Sequence, residues 1–429
     1  MINSNVKKVI EEIAAEPSFD ENPCFFIYNL ADIRHKLNFL KNRPANVSLY
    51  YAMKANTHAG IINFMRSVKS LDGIEIASSG ELDKIAPLFG PEEIIFTGPG
   101  KTSFELEKSL DYGIRLINLE SIVEAKRISI LAKEKKKSSI DVLVRINTDY
   151  CLEDAIENMG GKPTHMGIDQ KTIIESLNKI RSFGNLNVMG YHVFSASGVL
   201  DYKKLLGYVD YVFALTKEVD RKSHSDTKII DFGGGFGIDC SGKGKQFNIS
   251  GFFNGLKDHT DKYGFKDKEL ILELGTYIVG ESGYYISEIL DIKETKGKKH
   301  IITAGGTNHL RRPIAVGINQ PTYVLPRNKP SIIANQTEVH DEIVNVCGPL
   351  CYADDKIAVD INVKRARIGD LVVITQSGAY GYDVSAVNFL SHMGAPEYVL
   401  DCDKYFSSKK SGESSEITTA LGRGLWGKK

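Results

Sequence analysis

The chain has 429 residues, 42% of them apolar and 25% charged, with 54 lysines and arginines balanced by 54 aspartates and glutamates. A chain of this length exceeds one small core, and the balanced charge excludes a global field that would recruit nucleic acid or an anionic membrane. The six cysteines (Cys24, Cys151, Cys240, Cys347, Cys351, Cys402) are scattered. They argue against a disulfide framework, and without a CxxC pair or a nearby histidine cluster no metal site is expected.

Residues 1–8 lack the apolar core of a secretory signal, and no stretch is long and apolar enough to span a bilayer, so a cytoplasmic protein is expected. The run 25–28 reads as a first strand. Residues 47–53 form a longer apolar run that ends on Lys54 and stops at Ala55-Asn56. An isolated buried ammonium is costly, so a lysine there needs a partner, a lowered pKa or a covalent role.

Seven further apolar runs follow, at 73–77, 94–97, 114–119, 142–146, 188–194, 229–232 and 270–274. Between them, residues 59–68, 81–88, 105–112, 122–133, 173–183 and 203–219 carry the helical period. The basic run 133–137 reads as a solvated helix end. Strands alternating with helices predict parallel pairing, and eight units over roughly 250 residues predict a (β/α)8 barrel. A doubly wound sheet would need a dinucleotide glycine fingerprint in its first turn, and Lys54-Ala55-Asn56-Thr57 has none. After about residue 280 the rhythm changes. Runs 283–292, 299–303, 343–346 and 371–374 read as strands without intervening helices. The expected organisation is an N-terminal segment, 1–30, joining the β domain, then the barrel over 31–280. A mostly β domain over 281–429 follows, with a mobile tail over 407–416.

In such a barrel the chemistry sits at the C-terminal ends of the strands. Those ends carry Lys54, Glu75 and Ser78, Gly98, Glu120, Arg145 and Asn147, His192 and Phe194, the corner Gly233-Gly234-Gly235-Phe236-Gly237, and Glu273. A strand-end lysine suits Schiff-base chemistry. A glycine corner lets backbone N–H groups turn onto an anion, and barrels often hold a phosphate near strands seven and eight. Lysine plus phosphate loop points to pyridoxal 5′-phosphate (PLP), with Glu273 as the carboxylate facing the ring nitrogen.

These motifs resemble the fold-type III PLP enzymes, the group of diaminopimelate, ornithine and arginine decarboxylases, with alanine racemase more distant. The resemblance runs from about residue 25 to about residue 400. Tyr51-Ala52-Met53-Lys54-Ala55-Asn56 is similar to the cofactor-lysine motif, and Gly233 to Gly237 to the phosphate loop. Cys347-Gly348-Pro349-Leu350-Cys351 resembles the segment whose second cysteine, Cys351, is catalytic. Gly378-Ala379-Tyr380-Gly381 resembles the segment whose tyrosine reaches the phosphate. Gly306-Thr307-Asn308-His309-Leu310-Arg311-Arg312-Pro313 resembles the diaminopimelate decarboxylase stretch whose arginine, here Arg312, holds a substrate carboxylate. The resemblance implies cofactor contacts from Lys54, Phe194, Ser197, Gly233, Gly234, Gly235, Gly237, Glu273, Gly275 and Tyr380. It implies substrate contacts from His309, Arg312 and Tyr352, and a homodimer in which Cys351 comes from the partner subunit.

Softer motifs, 158–167, Gly306-Thr307 and 388–392, are similar to a branch that decarboxylates amino acids already joined to something larger: citryl–diamino acids of carboxylate siderophores, or glutamate on a carrier protein. Three positions depart from the wider family. Phe194 stands where a histidine usually stacks on the ring. Thr276 replaces the arginine of Glu-x-Gly-Arg. Tyr352 replaces the acid that reads a distal amine. PLP-dependent decarboxylation of such a conjugate is the expected activity. The alternatives are a decarboxylase of free diaminopimelate or ornithine, and a catalytically retired regulatory binding protein. The segment 321–346 is expected near the substrate entrance.

Overall fold

The computed structural model describes residues 2–152, 155–327, 337–401, 404–408 and 414–415. It divides into two compact units: Lys36–Asp239 with Lys245–Ile278, and Met1–His35 with Cys240–Gly244 and Val279–Lys429.

The first unit is a closed barrel. Its strands are Val47–Ala52, Gly73–Ile76, Ile94–Phe96, Leu116–Leu119, Ile140–Asn147, Leu186–His192, Ile229–Asp231 and Glu269–Leu274. Each pairs in parallel with the next, and the eighth returns to the first through Leu272 opposite Leu49. Strands buried on both faces read as apolar runs rather than alternating ones, which is why all eight were legible. Tyr50, Ile95, Leu116, Leu143, Ile229 and Ile271, from six strands, pack into one buried cluster, the side-chain filling that makes a barrel a core rather than a pore. The helices after strands two, three and four start within a few residues of the strand end. Ser78, Thr102 and Ser121 cap their first turns by accepting from Glu81, Glu105 and Glu124 N–H groups. The link after strand five is longer, and Glu157–Asn158 within it pairs with Ala196–Ser197.

The second unit is mostly β. Cys24–Asn29 pairs antiparallel with Gly283–Thr295 and parallel with Glu397–Asp401. Gly283–Thr295 also pairs with Leu371–Thr375 and Lys298–Thr303, and the sheet continues through Val339–Cys347 to Lys356–Ala366. The helix Ser4–Ala15 buries Val6, Val9, Ile10, Ile13 and Ala14 against Phe25, Ile27, Ile286, Val373 and Tyr398. Most of the tail expected to be mobile lies outside the described residues. Ser407, Ser408, Ser414 and Ser415 belong to short strands of the same sheet. Of the expected entrance segment, residues 328–336 also lie outside the described residues.

Candidate active site

Lys54 lies on a single 3-10 turn, Met53–Ala55, directly after the first strand. The Tyr51 hydroxyl donates to the Asn56 carbonyl at 2.8 Å and holds that turn closed. Lys54 Nζ donates to both oxygens of Glu75, on strand two, at 2.9 and 2.8 Å. Glu75 is fully buried, while the lysine side chain keeps 39% of its surface. The lysine's charge therefore has a partner, and its side chain is still partly exposed.

Strands six, seven and eight send His192, Asp231 and Glu273 to one place. One ring nitrogen and one oxygen from each carboxyl lie within 4.8 Å of one another, and all three residues are buried. Among the described residues, both His192 nitrogens, Asp231 Oδ2 and Glu273 Oε1 lack hydrogen-bond partners. Burial, then the neighbouring Asp231 and Glu75 charges, pushes the Glu273 carboxyl well above the carboxylate range. Burial raises Asp231 to about 7. Burial, then the cations of Arg145, Lys54 and Lys101, holds the His192 imidazole well below its usual range and therefore neutral. Two facing carboxylates in a dry site repel, so one of the pair holds a proton near neutral pH.

The glycine corner wraps around this group. Gly233 and Gly235 have φ of 64° and 114°. A Cβ on Gly234 would lie 2.3 Å from the Glu273 carbonyl oxygen, and one on Gly233 would lie 2.5 Å from Phe194 Cδ2. A Cβ on Gly237 would meet the Gly198 backbone at 2.7 Å. The Gly233 N–H donates to Asp231 Oδ1 at 2.8 Å, and the Glu273 N–H donates to the Gly233 carbonyl at 2.8 Å. Val199 and Gly237 bond the segment carrying Ser197 to the loop. Among the described residues, the N–H groups of Gly234 and Gly235 take no partner. Gly275, two residues past Glu273, has no room for a Cβ, which would meet Ala55 Cβ at 2.8 Å.

The sequence reading named Glu120 and Arg145 but passed over Lys101 and Glu124, which complete a buried network with them. Lys101 Nζ donates to Glu124 at 2.7 Å and to the Gly98 and Asn118 carbonyls, and Arg145 donates to Glu120 at 2.7 Å. Both cations bear on His192. Lys101 lies three residues past Gly98, in the corner after strand three, and its only sequence signal was that position.

The remaining expected residues belong to the β unit. Cys351 is exposed on the turn before Lys356–Ala366. The Tyr352 hydroxyl lies 2.5 Å from Thr307 Oγ1, and its ring meets Phe389 edge-on. Arg312 lies over the Tyr380 ring, 4.7 Å from its centroid. Tyr380 itself sits at a φ of 52°, a backbone region costly for a non-glycine residue. His309 lies deep in its own unit. It is 1% exposed, its Nε2 lies 2.8 Å from the Met393 carbonyl oxygen, and its Nδ1 lies 3.1 Å from the Tyr285 hydroxyl. The ring also meets Tyr285 edge-on.

Residues 30–280 match the family described as pyridoxal-dependent decarboxylase, pyridoxal binding domain. The chain belongs to the pyridoxal-dependent decarboxylases. The 2-[(L-alanin-3-ylcarbamoyl)methyl]-2-hydroxybutanedioate decarboxylase of Staphylococcus aureus is 30% identical over 92% of this chain and 97% of its own. The L-glutamyl-[BtrI acyl-carrier protein] decarboxylase of Niallia circulans is also 30% identical, over 95% of each. The crystal structure of diaminopimelate decarboxylase from Helicobacter pylori complexed with L-lysine superposes with a TM-score of 0.77 at 25% identity, covering 90% of this chain and 93% of that one. This decarboxylase is therefore a PLP-dependent carboxy-lyase built on the (β/α)8 barrel with a mostly β second domain. Its barrel residues fit the cofactor. Among the described residues, Glu273 Oε1 is a buried oxygen without a hydrogen-bond partner, a group able to accept from a protonated ring nitrogen. At the glycine corner a Cβ on Gly233, Gly234 or Gly237 would fall within 2.7 Å of the surrounding chain, so its backbone amides are bare of side chains. Lys54 offers an amine at the end of the first strand. Among the described residues, no helix is long and apolar enough to cross a membrane.

Proposed function

We propose that this decarboxylase acts on an amino acid already joined to a larger carboxylate-bearing group, such as a citryl–diamino acid, rather than on a free basic amino acid. The observation that carries the reading is Tyr352. It follows Cys351 where an acid would read a distal ammonium, and its hydroxyl is tied to Thr307 at 2.5 Å. A phenol and the Arg312 guanidinium suit carboxylate, hydroxyl or amide oxygens. The printed activities of the Staphylococcus aureus and Niallia circulans relatives support it.

When bound, the cofactor supplies an electron sink for the charge left as CO2 departs. Lys54 provides the amine that holds it, and Glu75 holds that amine in place. Glu273 carries the proton at the ring nitrogen, with Asp231 behind it. Gly233, Gly234, Gly235, Gly237, Ser197 and Tyr380 are assigned to the phosphate, Gly275 to close passage of the eighth strand end, and Phe194 to the ring face. Cys351 returns a proton to the substrate carbon. Val384, Phe389, Leu390 and Met393, each about half exposed, support a homodimer in which a second copy covers that stretch and receives Cys351.

The test is CO2 release from citryl-diaminopropionate and citryl-ornithine against free diaminopimelate and ornithine. Turnover of the citryl compounds with the highest kcat/KM supports the reading. Preference for diaminopimelate, whose distal carboxylate also suits Arg312, would replace it with the free-amino-acid alternative.

A further inference from the structure

Cys351 lies on a turn that has almost no regular structure of its own, yet one side chain closes it. Asp355 is buried, 3% exposed. Its Oδ1 accepts from the Thr307 N–H and the Thr307 hydroxyl, each at 2.7 Å. Its Oδ2 accepts from the Leu350 N–H at 2.7 Å. Its carbonyl accepts from the Gly348 N–H at 3.0 Å, so the chain from Gly348 to Asp355 closes on itself with Cys351 near its apex. Two glycines make room for the carboxylate. A Cβ on Gly306 would fall 2.4 Å from Asp355 Oδ1, and one on Gly348 would fall 2.4 Å from Oδ2. Without side chains, these glycines also face each other, a Cβ on Gly348 falling 2.3 Å from Gly306 Cα. Tyr352, on the far side of Cys351, is tied to the same Thr307.

We infer that Asp355 is the positioning residue for the proton donor: it clamps the Cys351 turn onto Gly306-Thr307 and so fixes where the thiol is presented. The inference rests on the reading of Cys351 as the donor. A thiol held in place delivers its proton to the substrate carbon, and the product is an amine. A thiol that wanders would leave that carbon unprotonated, and the product would then be the carbonyl compound formed with water, its amino nitrogen retained by the cofactor and no external oxidant required.

The experiment compares wild type, Asp355→Asn and Cys351→Ala as holoenzymes, measuring amine formed per CO2 released. Amide exchange is followed in parallel over 305–310 and 347–355. Asparagine offers one acceptor oxygen and one donor where the carboxylate offered two acceptors, so either Leu350 or Thr307 meets a donor. In wild type the two products match. In Asp355→Asn, amine per CO2 is expected to fall about tenfold, and exchange of both segments to speed up about tenfold, the size of one lost buried hydrogen bond. Matched products in Asp355→Asn overturn the inference, whatever the exchange rate. Matched products in Cys351→Ala overturn the donor role itself, and unchanged exchange in Asp355→Asn would separately remove the clamp. Should Asp355→Asn not fold, Thr307→Val decides by the same two measurements, since it keeps the shape and removes the shared hydroxyl.

Discussion

At the residue scale the barrel site is defined by groups held in unusual protonation states. Asp231 shows the consequence for stability. Its folded pKa is raised from 3.8 to about 7, so the folded protein binds a proton that the unfolded chain releases. The stability this gives is complete below about pH 4 and is lost as pH rises through 7. In the cofactor-free protein, Asp231→Asn is therefore expected to flatten part of the decline in melting temperature between those pH values. Parallel melting profiles of variant and wild type would contradict it. Lys54 gives a second expectation. Lys54→Ala removes the only amine proposed to hold the cofactor covalently, so the near-visible absorbance band and its loss on borohydride treatment should both vanish, together with CO2 release. A band that survives in the variant would assign the attachment elsewhere.

At the element scale the eight barrel strands and six of the helices were legible because a buried parallel strand and an amphipathic helix each print a period on the sequence. Five helices were not read: Ser4–Ala15, Leu30–Leu40, Ile249–Tyr263 and the single turns Thr276–Val279 and Arg312–Val316. In Ile249–Tyr263, Gly251 and Gly255 weaken the pattern, and only packing explains Gly255: a Cβ there would lie 2.2 Å from Leu206 Cδ1. The strand Lys356–Ala366 was also missed, since charged residues cover its exposed face. The glycine corner was read as a phosphate loop from composition and place alone. Its geometry yields a firmer expectation. Gly234→Ala puts a methyl group 2.3 Å from the Glu273 carbonyl oxygen, so loop or strand end must shift, and PLP affinity should fall by about tenfold or more. Equilibrium titration with PLP checks this, with circular dichroism showing that the barrel persists. Unchanged affinity would mean the loop does not hold the phosphate.

At the scale of the whole molecule, exposed apolar side chains cluster in sequence at Val384, Phe389, Leu390 and Met393, with Leu390 and Ser391 both at positive φ. Tyr352 and Phe389 meet there. Sedimentation of the holoenzyme should give twice the chain mass, and Phe389→Glu should shift it toward the monomer with a parallel loss of CO2 release. A monomeric, fully active wild type would remove the homodimer from the mechanism.

Sequence by itself determined the chemistry's vocabulary: a lysine at a strand end, a glycine corner, a carboxylate on the last barrel strand, and motifs shared with one decarboxylase family. These are legible because each is a local pattern, set by the few residues around it. Tertiary structure decided the rest. It gathered His192, Asp231 and Glu273 from three strands into one dry cluster, and desolvation there, which no sequence window reports, sets their protons. It turned His309 inward against Tyr285 and Met393. It also made Asp355, an ordinary aspartate in the sequence, the closure of the Cys351 turn, because only folding brings residue 307 beside residue 355.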